Sequence, residues 1–305
     1  MNGADKTAWV FPGQGSQSVG MGAELYSRST RAREVFDRAD AVLGFSLSSL
    51  CFNGPEEELT RTVNVQPAIL ATGIAMLEAA HELNGNSLPQ PVCMAGHSLG
   101  QYTALAASGA IGLDDALILV RERGRLMHEA GQAHPGGMLA VMGADENTVA
   151  GICACCGTQI SNLNSPGQVI VSGSLPELEL FKTRAGEKGI RRTIPLKVSG
   201  AFHSRHMQAA ATGLALAIEK CNFKQPYAPV VSNISASALK DVEEIRQDLV
   251  SQLTGCVRWQ ESVQNMLKDG VTAFIEAGNG QVISGLIKRI DDKASIRHIN
   301  DFLTV

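Results

Sequence analysis

Apolar positions in the first 127 residues alternate between short blocks and helical stripes, the rhythm of an α/β fold. Thr7–Phe11 predicts a short strand, stopped by Pro12-Gly13-Gln14-Gly15. Residues 30–43 are spaced as an amphipathic helix, and Pro67–Leu83 forms a second helical stretch rich in small residues. Val92–Ala95 predicts a buried strand and Leu99–Ala107 a helix, after which Asp114-Asp115 cap a longer helix running to about His128.

From Pro135-Gly136-Gly137 the pattern changes. Met138–Met142 reads as a strand, Asp145–Cys156 as a helix, and Thr158–Asn162 and Gln168–Ser172 as strands around an Asn-Ser-Pro-Gly turn. Pro176–Lys188 is a further helix and Arg191–Val198 a further strand, giving the β-α-β-β-α-β order of a ferredoxin-like unit. The α/β pattern then resumes: helix 204–220, strand Val230–Asn233, helices 241–253 and Ser262–Lys268, strand Val271–Ile275, and a last helix Val282–Ile290 after Gly278-Asn279-Gly280. The expected organisation is a discontinuous α/β domain, residues 1–130 and 200–305, with a ferredoxin-like subdomain of residues 131–199 inserted in it. The site belongs in the cleft between the two.

Charge narrows the partners. Twenty-six Lys and Arg against thirty Asp and Glu leave a net charge of −4, which argues against a general nucleic-acid binder. No uninterrupted apolar run reaches the roughly 18 residues of a membrane span, and residues 1–12 lack the long apolar core of a leader. Seven cysteines in irregular spacing, with Cys153-x-Cys155-Cys156 far from any histidine cluster, read as buried or idle thiols rather than metal ligands. The reading is a cytoplasmic, reduced, metal-free protein.

Gly96-His97-Ser98-Leu99-Gly100 falls between a predicted strand and a predicted helix, the context of a nucleophile elbow. Glycines at both ends give the tight turn room, the turn lifts Ser98 into the cleft, and the N–H of Leu99 points where an oxyanion develops. Of seven histidines, His97 reads as packing, while His81, His128, His134 and His298 read as solvated. His203 stands where the chain returns from the subdomain to the cleft, and His206, one turn later, is its rival as base. No aspartate between Ser98 and His203 is free of a helix start, so a neutral acceptor such as a carbonyl is left to orient the imidazole. Gly13-Gln14-Gly15-Ser16-Gln17 is either an incomplete phosphate loop or the second half of an oxyanion hole. Arg123 has apolar neighbours on its helical face (Leu119, Val120, Leu126, Met127), so it needs an anion: a structural carboxylate or one on a substrate.

The segments Phe11–Gln17, Gly96–Gly100, Arg123-Gly124, Asn162–Gln168, Gly200–Ser204 and Gly285–Ile290, in this order, closely resemble the malonyl-CoA:acyl carrier protein transacylases, free-standing enzymes of bacterial fatty acid synthesis. The resemblance covers essentially the whole chain. It implies an α/β-hydrolase-like large domain with a ferredoxin-like insert, and transfer of malonyl from malonyl-CoA to the phosphopantetheine thiol of acyl carrier protein, without a cofactor, by a monomer. It implies that Ser98 carries the acyl group, His203 is base and acid, Gln14 and Leu99 supply oxyanion-hole N–H groups, Arg123 holds the malonyl carboxylate, and the main-chain carbonyl of Gln252 orients the histidine. One departure is Gln101, where the family usually has glutamate. Trans-acting acyltransferases of polyketide assembly share these motifs. Acyl hydrolases of the fold, some of which lack the arginine, are a third reading. Residues 182–205 hold Lys182, Arg184, Lys188, Arg191, Arg192, Lys197 and Arg205 against Glu187, an excess suited to docking an acidic carrier protein.

Overall fold

The computed structural model describes residues 6–84 and 87–303; residues 1–5, part of the segment read as lacking a leader, lie outside them. Strands β1 (Thr7–Phe11) and β2 (Pro91–Gly96) open the chain's alternating pattern, and β3 (Gly136–Met142), β4 (Gln159–Ser165), β5 (Gln168–Ser174) and β6 (Arg192–Pro195) follow. After these come β7 (Val230–Val231), β8 (Ala273–Glu276) and β9 (Ser295–His298). Five of them form a parallel sheet in the order β7-β2-β1-β8-β9. Its two adjacent inner strands, β1 and β2, end side by side, Phe11 opposite Gly96. The glycine loop and the Ser98 turn therefore leave the sheet together at its carboxyl edge, where open α/β sheets place their sites.

The other four strands form an antiparallel sheet, β4-β5-β3-β6. Side chains alternate across β3: Met138 and Ala140 join the large core, whereas Leu139 and Val141 pack with Val149, Ile152 and Phe181 under the subdomain's own helices. Cys153 and Cys156 are buried in that smaller core and Cys155 is exposed.

Several elements differ from the sequence expectation. The helix expected from Pro67 starts at Thr62 and runs to Asn84, placing proline inside it. Burial explains this: the helix is core on nearly every side, and Gly124 lets the helix Leu113–Ala133 lie directly against its start. A Cβ at Gly124 would stand 2.6 Å from the Thr62 carbonyl oxygen. This 23-residue helix is long and apolar enough to cross a membrane, although no single apolar run flags it, and 83% of its apolar window is buried inside the protein. Asp114 and Asp115 sit in the first turn of the helix Leu113–Ala133, behind an N-cap at Gly112, and the helix continues five residues past His128. Strand β6 is cut short at Pro195, which has no N–H for a ladder. Strand β7 keeps only two residues, because the next ones, Ser232 and Asn233, turn to serve the site. The segment 204–220 begins as a 3₁₀ turn, Arg205–Met207, before the helix Gln208–Glu219. The short helices Ala23–Arg28, Leu47–Asn53 and Glu56–Thr60 and strand β9 were not anticipated.

Candidate active site

Strain marks the expected nucleophile, Ser98. Ser98 has φ 53° and ψ −106°, between β2 and the helix Leu99–Ala107. The flanking glycines are required by space: a Cβ on Gly96 would lie 1.9 Å from the Gly100 carbonyl carbon, and one on Gly100 would lie 2.2 Å from the Phe11 carbonyl oxygen. Asn233 clamps the turn, accepting from the Ser98 N–H (2.7 Å) and donating to the Gly96 carbonyl (2.8 Å).

Ser98 Oγ lies 2.8 Å from His203 Nε2. On the other side of the ring, Nδ1 donates to the Gln252 carbonyl at 2.6 Å. That bond fixes the tautomer, leaving Nε2 free to accept a proton, and it stands where a triad would place an aspartate. His203 has φ 55°, a strained value for a non-glycine residue, so its placement is imposed by its surroundings. Burial, and then the neighbouring Arg123 charge, push its pKa down to about 3. The rival His206 pairs with Glu177 at 3.3 Å.

Arg123 is 1% exposed, and none of the ion pairs among the described residues involves it. Its guanidinium donates to Gln66 Oε1 (2.8 Å), Gln252 Oε1 (2.9 Å) and Ser98 Oγ (3.2 Å), and lies over the Tyr102 ring at 5.2 Å. Its Nε has no hydrogen-bond partner. The structural salt bridge left open by the sequence is therefore absent among the described residues. A buried cation held by neutral groups beside Ser98 is suited to receive an anion.

Gly13 packs against the nucleophile turn so closely that a Cβ there would be 2.4 Å from the His97 carbonyl oxygen. The glycine loop therefore faces Ser98, as an oxyanion-hole loop does. Gln14 and Leu99 both line the cavity, and Leu99, as first residue of its helix, has an N–H without an intrahelical partner. The loop is braced from behind by Asn279, which donates to the Ser16 carbonyl at 2.6 Å. The cavity encloses about 200 Å³, suited to a short acyl group, and its far wall is built from Met138, Ile170, Leu196 and Val198 of the subdomain.

Some roles escaped the sequence. His97 is half-buried and lines the cavity, with Nε2 2.8 Å from Asn164 Oδ1, so packing alone is too little for it. His298, expected to be solvated, is 9% exposed and accepts the Asn300 N–H at a helix start. Gln66 was hidden by the misplaced helix start. Asn233, at the end of a strand, carried no signal. Asp248 did carry one, since it shares a helical face with Ile245 and Gln252.

A parallel sheet with a strained serine at its carboxyl edge, a carbonyl-oriented histidine and two facing loops has the parts that an acyl-transferring enzyme with a serine nucleophile needs. The pattern of the acyl transferase domain matches residues 8–295. The malonyl CoA-acyl carrier protein transacylase of Bacillus subtilis is 43% identical over 305 residues, covering 98% of this chain and 95% of that protein. An acyl carrier protein S-malonyltransferase from Vibrio cholerae superposes with a TM-score of 0.92 at 39% identity, covering 96% of both chains. PlMCAT, solved with AntF and described as a type II PKS acyl-carrier protein in complex with its malonyl-transacylase, gives 0.92 at 37% identity, with 98% and 97% covered. The chain belongs to the acyl transferase family and, within it, to the malonyl CoA-acyl carrier protein transacylases.

Proposed function

We propose that the chain moves malonyl from malonyl-CoA to the phosphopantetheine thiol of acyl carrier protein, for fatty acid synthesis, through an ester on Ser98. The observation that carries this reading is one oxygen with two partners: Ser98 Oγ sits 2.8 Å from His203 Nε2 and 3.2 Å from an Arg123 nitrogen. In the first half-reaction Oγ attacks the thioester carbonyl while His203 Nε2 takes its proton. The N–H groups of Gln14 and Leu99 stabilise the oxyanion. Collapse breaks the C–S bond, and the imidazolium returns the proton to the departing sulfur. In the second half the carrier thiol gives its proton to His203 and attacks the ester, and Ser98 leaves reprotonated. Arg123 holds the free carboxylate, one methylene beyond the reacting carbonyl.

The carrier meets a rim that is less basic than its composition. Lys182, Arg184 and Arg205 are matched by Glu179, Glu187 and Glu177, which leaves exposed Lys188, Arg191, Arg192 and Lys197 outside the ion pairs. All seven cysteines are free, in keeping with work in the reducing cytoplasm. A monomer suffices, because nucleophile, base and arginine come from one chain. Service to a polyketide carrier is the second reading, favoured by the similarity to PlMCAT. Intact-protein mass after mixing with malonyl-, acetyl- and methylmalonyl-CoA tests the proposal: a malonyl adduct, absent in Ser98→Ala, is expected. An adduct retained by that variant would place the nucleophile elsewhere.

A further inference from the structure

Gln101 stands where the resemblance expects glutamate, and it is fully buried. The structure places a carboxylate beside it. Asp248, 8% exposed on the helix Val242–Gln252, accepts from the Gln101 amide and from the Ser232 hydroxyl. An ionised carboxylate only accepts hydrogen bonds, so it turns the Gln101 NH₂ toward itself and the Gln101 oxygen away. That oxygen accepts from Gln252 Nε2 (2.9 Å) and the Asn233 N–H (3.2 Å). With its NH₂ so engaged, and also donating to the Ser98 carbonyl at 3.0 Å, Gln252 points its side-chain oxygen at Arg123, 2.9 Å away. The main-chain carbonyl of the same Gln252 holds His203.

We propose that Asp248 is a positioning residue for acyl transfer: through Gln101 it sets the amide polarity of Gln252, and so the seats of Arg123 and His203. It stands in for the carboxylate that position 101 lacks. Reversing the Gln101 amide would set its NH₂ against the NH₂ of Gln252 and the N–H of Asn233, donor against donor. Reversing Gln252 as well would set its NH₂ against the guanidinium. A glutamate at 101 with a neutral residue at 248 would present the same acceptor to Gln252, whereas two carboxylates side by side repel. The inference rests on the roles given above to Ser98, His203 and Arg123. The Ser98→Ala adduct test fails if those roles are wrong, and the exchange below fails if only the relay is wrong.

The test moves the carboxylate. Asp248→Asn keeps the shape and removes the obligatory acceptor. It should lower kcat/KM for malonyl loading by about 10- to 100-fold, the range for a hydrogen bond to a charged group. Asp248→Ala should lose at least as much, and adding Gln101→Glu to it should restore loading to near the parent's rate. Gln101→Glu alone should melt earlier than the parent. A purely structural aspartate would not be rescued from position 101. Parental loading by Asp248→Asn, or a double variant no better than Asp248→Ala, overturns the proposal. If Asp248→Ala does not fold, the double variant decides: folded and loading supports the relay, unfolded or inert refutes it.

Discussion

Arg123→Ala separates recognition of the substrate from its chemistry. The guanidinium is buried, held by two glutamine oxygens and Ser98 Oγ, and faces no protein carboxylate among the described ion pairs. Malonyl brings the missing charge, and acetyl does not. Breaking one side of such a desolvated pair costs ~2–5 kcal/mol, and each ~1.4 kcal/mol is a factor of ten. The variant should therefore load malonyl about 30- to several-thousand-fold more slowly. Its slow acetyl loading should hold or improve, since an unpaired buried cation is gone. Arg123→Lys should fall between, because a compact ammonium cannot grip the carboxylate with a planar fork. The assay is kcat/KM with each CoA ester, the reported quantity is the malonyl-to-acetyl ratio, and a melting curve accompanies each variant. An equal fall with both donors, or collapse of the melting transition, would show that the arginine holds the fold rather than the substrate.

Three further outcomes follow from the geometry. His203→Ala should lose at least ~10²-fold in transfer, more than His206→Ala, whose ring is turned to Glu177. Because the His203 pKa is depressed to about 3, the base stays unprotonated well into acid. Malonyl kcat/KM should then show no acid limb near the ordinary histidine value of ~6.5. In Arg123→Ala, assayed with acetyl-CoA, the limb should move to higher pH, because the cation that lowers the histidine is removed. A limb near 6.5 in the parent would refute this account. Reversing charge at Arg191 and Arg192 should slow transfer to acyl carrier protein, most at low salt, and spare transfer to free pantetheine. Equal slowing with both acceptors would exclude docking.

What the sequence made legible was whatever depends on local spacing. The elbow needed only two glycines, a strand and a helix, and Arg123 betrayed itself by apolar neighbours at helical spacing. The subdomain's strand and helix order was equally readable, since each element is short and followed by its own turn. What stayed hidden depends on distant segments meeting. Pro67 misled because a proline inside a helix is disfavoured locally, yet full burial and the close approach at Gly124 carry the helix on toward Thr62. Asn233 serves the site through two hydrogen bonds to a turn 135 and 137 residues away, which no window of sequence contains. The Gln101 substitution was visible, but its partner at 248 was not, because only the fold brings them together. The basic excess of 182–205 was overstated, since Glu177 and Glu179 reach into it from the preceding turns.

His203 is attached to the machinery through Gln252, on the large-domain side, while the subdomain supplies the opposite wall of the cavity. The molecule thus divides into an engine and a mould. The side chains of Ser98, His203 and Arg123 are held relative to one another by their own contacts and by groups of Gln66 and Gln252 in the large domain. Met138, Ile170, Leu196 and Val198 shape the space, and among the described residues no side-chain hydrogen bond ties them to that frame. Exchanging such apolar residues for larger or smaller ones therefore changes which acyl group fits while leaving the proton path as it was. A lineage can drift in substrate along this wall without rebuilding its catalyst.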